Sequence, residues 1–127
     1  MEIKNGILLN GKFIKGMNDF ISQPLPILLR IKLKKFLKDI ENHLNIIGEA
    51  KDELIAKHSE GNNKIVPDSK NWESFVLEYN ELAEGTLSID IEEKIVIPSK
   101  IMYKDIMIDV IINDIVFEVL EEIIEVK

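Results

Sequence analysis

Residues 30–55 read RIKLKKFLKDIENHLNIIGEAKDELI, in which apolar residues return every three or four positions. On a helix these residues form a seam along one side, and its members are Leu33, Leu37, Ile40, Leu44, Ile47 and Leu54. Phe36, Ile46 and Ile55 widen the seam into a stripe, which is typical of a helix packed in a globular or oligomeric bundle. We therefore predict one long helix from Ile27 to about His58, stopped by the glycine and two asparagines at 61–63.

A second, shorter helix is predicted for the run NWESFVLEYNELAEG at residues 71–85. Its apolar face consists of Trp72, Phe75, Val76, Tyr79 and Leu82. Each apolar stripe needs a partner and the loop between the helices is short, so we predict a helical hairpin over residues 27–84. Gly48 lies inside the long helix at a cost of about 1 kcal/mol relative to alanine. Close approach of another backbone and a mild bend are the two explanations.

Beyond residue 86 the apolar period changes from that of a helix to that of a strand. The odd-numbered apolar positions are Leu87, Ile89, Ile91, Ile95 and Ile97. A second alternating run at 106–112 is predicted to pair with this first strand. Asn113 or Asp114 then caps a predicted C-terminal helix, Ile115 to Val126.

The N-terminal part of the chain combines turn signals with a short amphipathic segment. Two Asn-Gly pairs, at 5–6 and 10–11, predict short extended pieces joined by turns. Phe13 to Ile21 has helical spacing, and Pro24 and Pro26 end that helix.

Together the elements predict one α+β domain over residues 1–127, in which the long-helix hairpin packs with a small antiparallel sheet and a C-terminal helix. The residues predicted to be largely buried are Leu37, Ile40, Leu44, Trp72, Phe75, Tyr79, Ile89, Ile91, Val119 and Leu120. Leu44→Asp is expected to be among the most damaging single changes, because it places a charge in the seam.

The composition sets further limits. With 46% apolar and 31% charged residues, the chain is a folded domain and not a disordered one. The absence of cysteine excludes disulfides and thiolate chemistry. No signal peptide and no uncharged apolar run of about 20 residues is present, so we expect no membrane partner and a cytoplasmic location.

Charge is distributed unevenly along the chain. Residues 1–64 contain eleven basic and eight acidic side chains, whereas residues 65–127 contain five and fifteen. Opposed charges of this kind steer association, either with a partner or with another copy.

Few residues point to catalysis. The sequence has no phosphate-binding glycine loop, no nucleophile elbow and no zinc or EF-hand pattern. His43 and His58 are about 22 Å apart on one helix, too far to share a metal. Asp39 lies one turn from His43, an ordinary pair for a helix surface. We expect no cofactor, no metal site and no enzyme; the open alternative is an enzyme whose dispersed carboxylates meet only in the fold.

Two features are candidates for binding. The aromatic residues Trp72 and Tyr79 fit a core better than a stacking platform for bases, since little positive charge lies near them. The basic residues at the start of the long helix are Arg30, Lys32, Lys34, Lys35 and Lys38. They lie opposite or beside the seam, which leaves three interpretations: a solvated face, a contact for a protein partner, or a polyanion site. A pI near 4.9 argues against nucleic acid.

The order of parts resembles small phage-encoded proteins of unknown function. The matching pieces are NGILLNGKF, the basic long helix, a Pro/Ser break and WESFVLEYNELAEGTLSIDI. Such proteins occur in phages and prophages of Gram-positive bacteria, generally among late or structural genes. The resemblance covers most of the chain, is weakest over residues 101–127 and rests on no diagnostic motif. It implies a non-enzymatic accessory or assembly protein without a cofactor, in the cytoplasm of a bacterial host or on the virion.

The long helix has more apolar surface than its short partner helix is expected to cover. We therefore expect a homo-oligomer, most simply a dimer, with other phage proteins as further candidate partners. In such an oligomer the basic segment 30–38 is predicted to face the acidic segment 114–125 of a second copy, which raises the association rate more than the affinity.

Overall fold

The computed structural model of the protein describes residues 1–60 and 64–127, and the predicted stop at Gly61, Asn62 and Asn63 lies outside these residues. The described helices are α1 (Asn5–Leu9), α2 (Lys12–Ile21), α3 (Ile27–His58), α4 (Trp72–Glu84) and α5 (Asp114–Leu120). The described strands are β1 (Glu2–Lys4), β2 (Thr86–Ser88), β3 (Ile95–Ile97), β4 (Lys100–Tyr103), β5 (Ile106–Asp109) and β6 (Ile124–Val126). The predicted α+β class is confirmed.

The long helix α3 forms as its apolar spacing predicted. It begins directly after Pro26, whose carbonyl oxygen accepts the amide hydrogen of Arg30 at 3.0 Å. Proline is suited to this position because it donates no hydrogen bond. The buried side chains of α3 are Leu29, Leu33, Phe36, Leu37, Ile40, Ile47 and His58. A methyl group added at Gly48 would meet no described atom within 4 Å, so close backbone approach does not explain this glycine.

Helices α3 and α4 pack together, which confirms the predicted hairpin. Phe75 is the buried residue of α4, and the rings of Trp72 and Tyr79 each lie 5.8 Å from it between centroids. Trp72 and Tyr79 themselves are half-buried. Helix α4 therefore carries a row of aromatic rings, of which Phe75 contacts the His58 ring of α3 at 6.2 Å between centroids.

The predicted pairing of residues 87–97 with 106–112 is wrong. In the described residues the strands form three separate pairs: β1 with β2 and β4 with β5 are antiparallel, whereas β3 with β6 is parallel. The charged stretch 90–94 interrupts the first alternating run, so its two ends find different partners. Lys104 and Asp105, with φ of 50° and 63°, form a tight turn. A turn of this kind pairs β5 with the strand directly before it.

Both chain ends differ from prediction. The C-terminal helix ends at Leu120, and residues 124–126 form β6 because the edge of β3 accepts them as a parallel partner. The cap at Asn113 is confirmed, since its Oδ1 accepts the amide hydrogen of Val116 at 3.1 Å. At the N-terminus Asn5 and Gly6 begin α1 and do not form a turn. The backbone N–H of Asn5 donates to the Gly85 carbonyl at 2.8 Å, which holds the start of α1 against the end of α4.

The main hydrophobic core joins buried side chains of β1, α1, α2, α3, α5, β3 and β6 into one cluster. Phe13, Met17, Phe20, Leu33, Ile40, Ile97, Val116 and Leu120 are among its most deeply buried members. Of the residues predicted to be largely buried, Leu37, Ile40, Phe75 and Leu120 are buried. Leu44, Trp72, Tyr79, Ile89, Ile91 and Val119 are half-buried. Within the described residues, no helix is both long enough and apolar enough to cross a bilayer.

Candidate interaction surfaces

The predicted basic residues lie on the first turns of α3, and the structure separates them into two groups. Lys32, Lys34, Lys35 and Lys38 are exposed. Arg30 is half-buried, and its Nη2 donates to the Gln23 carbonyl at 2.8 Å. Arg30 therefore secures the segment that leads into α3, whereas the four lysines are accessible to a partner.

Large aliphatic side chains lie exposed beside these lysines. Leu28 is 77% exposed, Ile27 64% and Ile31 43%. At about 100° per residue they lie on the side of α3 opposite its buried seam. We name the surface formed by Ile27, Leu28, Ile31, Lys34, Lys35 and Lys38 the α3 ridge. The predicted seam does not include the three aliphatic residues, and their exposure depends on what the rest of the chain covers.

A groove of about 520 Å³ lies beside the α3 ridge. Leu28, Leu29 and Ile31 line one side, and Ile95 and Val96 of β3 line the other. Val96 is exposed, so the apolar surface continues from the helix onto the strand. Exposed apolar surface that is continuous between two elements is typical of a contact site for another molecule.

A second groove, of about 560 Å³, lies between the N-terminal segment and α5. Its apolar lining consists of Met1, Ile3, Ile7, Ile115 and Val119, and its acidic residues are Glu2, Glu118, Glu121 and Glu122. All four glutamates are exposed. We name this surface the acidic groove. Sequence spacing could not reveal it, because its two walls are more than a hundred residues apart in the chain.

Carboxylates that meet in the fold are the groups on which a metal or catalytic site would depend. In residues 1–60 and 64–127 no three side chains of His, Cys, Asp or Glu come together in a set able to hold a metal ion. General acid or base catalysis also requires a carboxyl group within reach of a bound substrate, usually in a partly dry pocket. The glutamates of the acidic groove are exposed to solvent.

The two histidines have structural contacts. Nε2 of His43 lies 2.7 Å from Oδ1 of the buried Asn5, whose own Nδ2 donates to the Leu82 carbonyl at 2.9 Å. Nε2 of His58 lies 2.6 Å from Glu78, and the Lys57 ammonium donates to the other Glu78 oxygen at 2.7 Å. The hydrogen bond from His58, followed by that from Lys57, lowers the pKa of Glu78. These side chains connect α3 to α1 and α4.

The β4–β5 hairpin carries another exposed apolar surface. Met102 and Met107 form a cross-strand pair, as do Tyr103 and Ile106, and all four side chains are exposed. The Lys104 ammonium lies 5.2 Å from the centroid of the Tyr103 ring. Neighbouring pairs along a strand alternate between faces, so the hairpin tip exposes apolar side chains on both sides.

The chain has no significant match among protein-family models, curated proteins or solved structures. Its function is therefore argued from these surfaces.

Proposed function

We propose that this protein is a non-enzymatic interaction protein that binds protein partners through the α3 ridge. The phage resemblance gives this proposal its setting, which is a small accessory or assembly protein of a phage. The observation that carries the proposal is the exposure of Ile27, Leu28 and Ile31 beside three lysines.

The composition of the ridge indicates the kind of partner. Full burial of an aliphatic side chain contributes about 1.5–3 kcal/mol, so three such residues can supply most of the affinity for a partner. Exposed lysines contribute less to affinity but steer an acidic surface toward the ridge. A partner that combines an apolar floor with carboxylates at its edge fits both properties.

Binding of a polyanion through Arg30, Lys32, Lys34, Lys35 and Lys38 is the alternative. It would use the charges but leave Leu28 and Ile31 in water, and Arg30 already donates to the Gln23 carbonyl. The α3 ridge also lacks an aromatic side chain on which a base could stack. The apolar half of the surface therefore favours a protein over a nucleic acid.

A photoreactive residue at position 28 tests the proposal in phage-infected bacterial cells that express the chain, which is the proposed setting. We expect a discrete cross-link to protein. A photoreactive residue at Asn45 is the matched control, because Asn45 is also exposed on α3 but lies beyond the ridge. Equal cross-linking at both positions, cross-links to nucleic acid, or no cross-link at position 28 would each refute the proposed function.

A further inference from the structure

The two charged surfaces of this chain have complementary chemistry. The α3 ridge combines three exposed aliphatic side chains with three lysines. The acidic groove combines an apolar floor with four exposed glutamates. We propose that the acidic groove is the docking site for the α3 ridge of a second copy of this chain. This inference rests on the proposed function and identifies one partner of the ridge.

The apolar parts of the two surfaces match in chemistry and in scale. The groove has Ile7, Ile115 and Val119 as half-buried aliphatic residues along its floor. Its volume of about 560 Å³ accommodates several aliphatic side chains. The ridge offers Ile27, Leu28 and Ile31 within little more than one helical turn. Insertion of these side chains would cover the exposed aliphatic residues of the ridge and the apolar floor of the groove.

The charges of the two surfaces are opposite in sign, and on each surface they lie beside the apolar residues. On the ridge, Lys34, Lys35 and Lys38 follow the aliphatic residues along the helix. In the groove, Glu118, Glu121 and Glu122 lie on and just after α5, at one wall. A ridge seated in the groove therefore brings ammonium groups toward carboxylates while its aliphatic residues contact the floor. The lysines also penalise a partner with a basic rim, which gives the contact selectivity.

A contact of this kind must join different copies. Within one chain Ile27 and Leu28 remain exposed, so a chain does not fill its own groove with its own ridge. The surfaces lie on different elements, the start of α3 and the cleft between β1, α1 and α5. Each copy thus keeps one ridge and one groove for its neighbours. Repetition of such a heterologous contact closes into a ring or extends into a filament.

The effect of salt on association follows from the different roles of the charged and the apolar residues. Charges steer the encounter and are screened within about 8 Å at physiological ionic strength, whereas apolar contact persists. Raising the salt concentration is expected to lower the association rate at least tenfold and to change the dissociation rate little.

Charge reversal on each surface tests the proposal. The ridge variant carries Lys34→Glu, Lys35→Glu and Lys38→Glu, and the groove variant carries Glu118→Lys, Glu121→Lys and Glu122→Lys. All six side chains are exposed, so both variants are expected to fold, which circular dichroism checks. The wild-type chain is expected to self-associate at tens of micromolar in sedimentation velocity. Each variant alone should associate at least tenfold more weakly, and an equimolar mixture should regain association.

A control variant separates local charge from total charge. Glu49→Lys, Asp52→Lys and Glu53→Lys make the same charge change as the groove variant on exposed positions of α3 far along the chain from the ridge. This control should associate as the wild type does. A monomeric wild type, folded variants that associate normally, or a mixture that stays monomeric would each overturn the proposal.

Failure of this inference can be distinguished from failure of the proposed function. A monomeric chain whose position 28 still cross-links to a different protein in cells would leave the proposed function standing and remove the second copy as the partner. Absence of any protein cross-link at position 28 would remove the proposed function itself.

Discussion

Residues 27–47 and residues 48–58 belong to one continuous helix, but different interactions hold them. The first segment places six buried apolar side chains in or against the main core. In the second segment, His58 is the buried residue, while Leu54 and Ile55 are half-buried. Phe75, which lies opposite the end of this second segment, is buried outside the main core cluster.

A regular apolar period therefore does not report how much of a helix the fold covers. The first segment belongs to the main core, where α3 contacts α1, α2 and β3, whereas the end of the second segment contacts α4 through Lys57 and His58. Contacts to a single short helix leave more backbone hydrogen bonds near water. Local opening is therefore expected to begin in the second segment.

The largest expected effect comes from Ile40→Ala in the first segment. Ile40 is fully buried, so truncation removes apolar burial and leaves a cavity, at a cost of about 2–5 kcal/mol. Ile46→Ala is the matched control, since Ile46 lies on the same helix and is 66% exposed. Its effect should stay within about 0.5 kcal/mol. Urea unfolding measures both, and equal losses would contradict the difference in packing.

The structure also changes which seam residue should matter most. Leu44, predicted as a site where a charge would be among the most damaging changes, is half-buried. Its side chain packs against the main core but remains partly exposed. A charge at Leu33 or Ile40 has no route to water, so those positions are expected to be more sensitive.

Gly16→Ala tests how tightly α2 packs against α5 in the core. A methyl group at Gly16 would lie 2.8 Å from the Asn113 Nδ2 atom and 2.9 Å from the Val116 Cγ2 atom. To relieve this clash Asn113 must move, which disturbs its cap on α5. After the gain in helix propensity, we expect a net loss of about 1–2 kcal/mol in the free energy of unfolding. A more stable variant in thermal unfolding would show that the α2–α5 contact is looser than the distances indicate.

These contrasts explain which parts of the fold could be predicted from sequence. Helices α3 and α4 repeat a period over many residues, and a helix makes its hydrogen bonds within itself. A short strand instead depends on its partner. The partner of β2 lies at residues 2–4, and the partner of β3 lies at residues 124–126. Local patterns carry no information about pairings at such separations.

The candidate surfaces also divide into a part that the sequence predicts and a part that only the fold shows. The exposed position of the lysines follows from the seam of α3, so sequence reasoning located them. The groove beside Leu28 and Ile31 has β3 as its other side, and the acidic groove forms where the N-terminus meets α5. Both therefore required the fold.

Gly48→Ala tests the boundary between the two segments of α3. A methyl group at this position meets no described atom within 4 Å, so it adds helix propensity without a clash. We expect stabilisation by about 1 kcal/mol, measured by thermal or urea unfolding. Gly48→Ala should therefore raise the free energy of unfolding, whereas Gly16→Ala should lower it. A destabilised Gly48→Ala variant would show that a partner copy or a bend needs the glycine.

The smallest expected effect concerns Glu78, which connects α4 to the second segment of α3. Hydrogen bonds from His58 and Lys57 hold the pKa of Glu78 below its ordinary value of 4.5. A carboxyl group with a lowered pKa in the folded state stabilises the fold above its unfolded pKa, and that contribution disappears as the pH falls through the folded value.

Glu78→Gln removes this titration and is expected to lower the melting temperature at pH 7 by less than Ile40→Ala does. The difference between wild type and variant should shrink below pH 4.5 and disappear once the wild-type carboxylate is protonated, because only the charged form gains from His58 and Lys57. Glu81→Gln is the matched control, since Glu81 is exposed on the same helix. Thermal unfolding between pH 3 and pH 7 measures both variants. A difference for Glu78→Gln that does not change with pH would show that packing, and not the ionised hydrogen bonds, joins α4 to the end of α3.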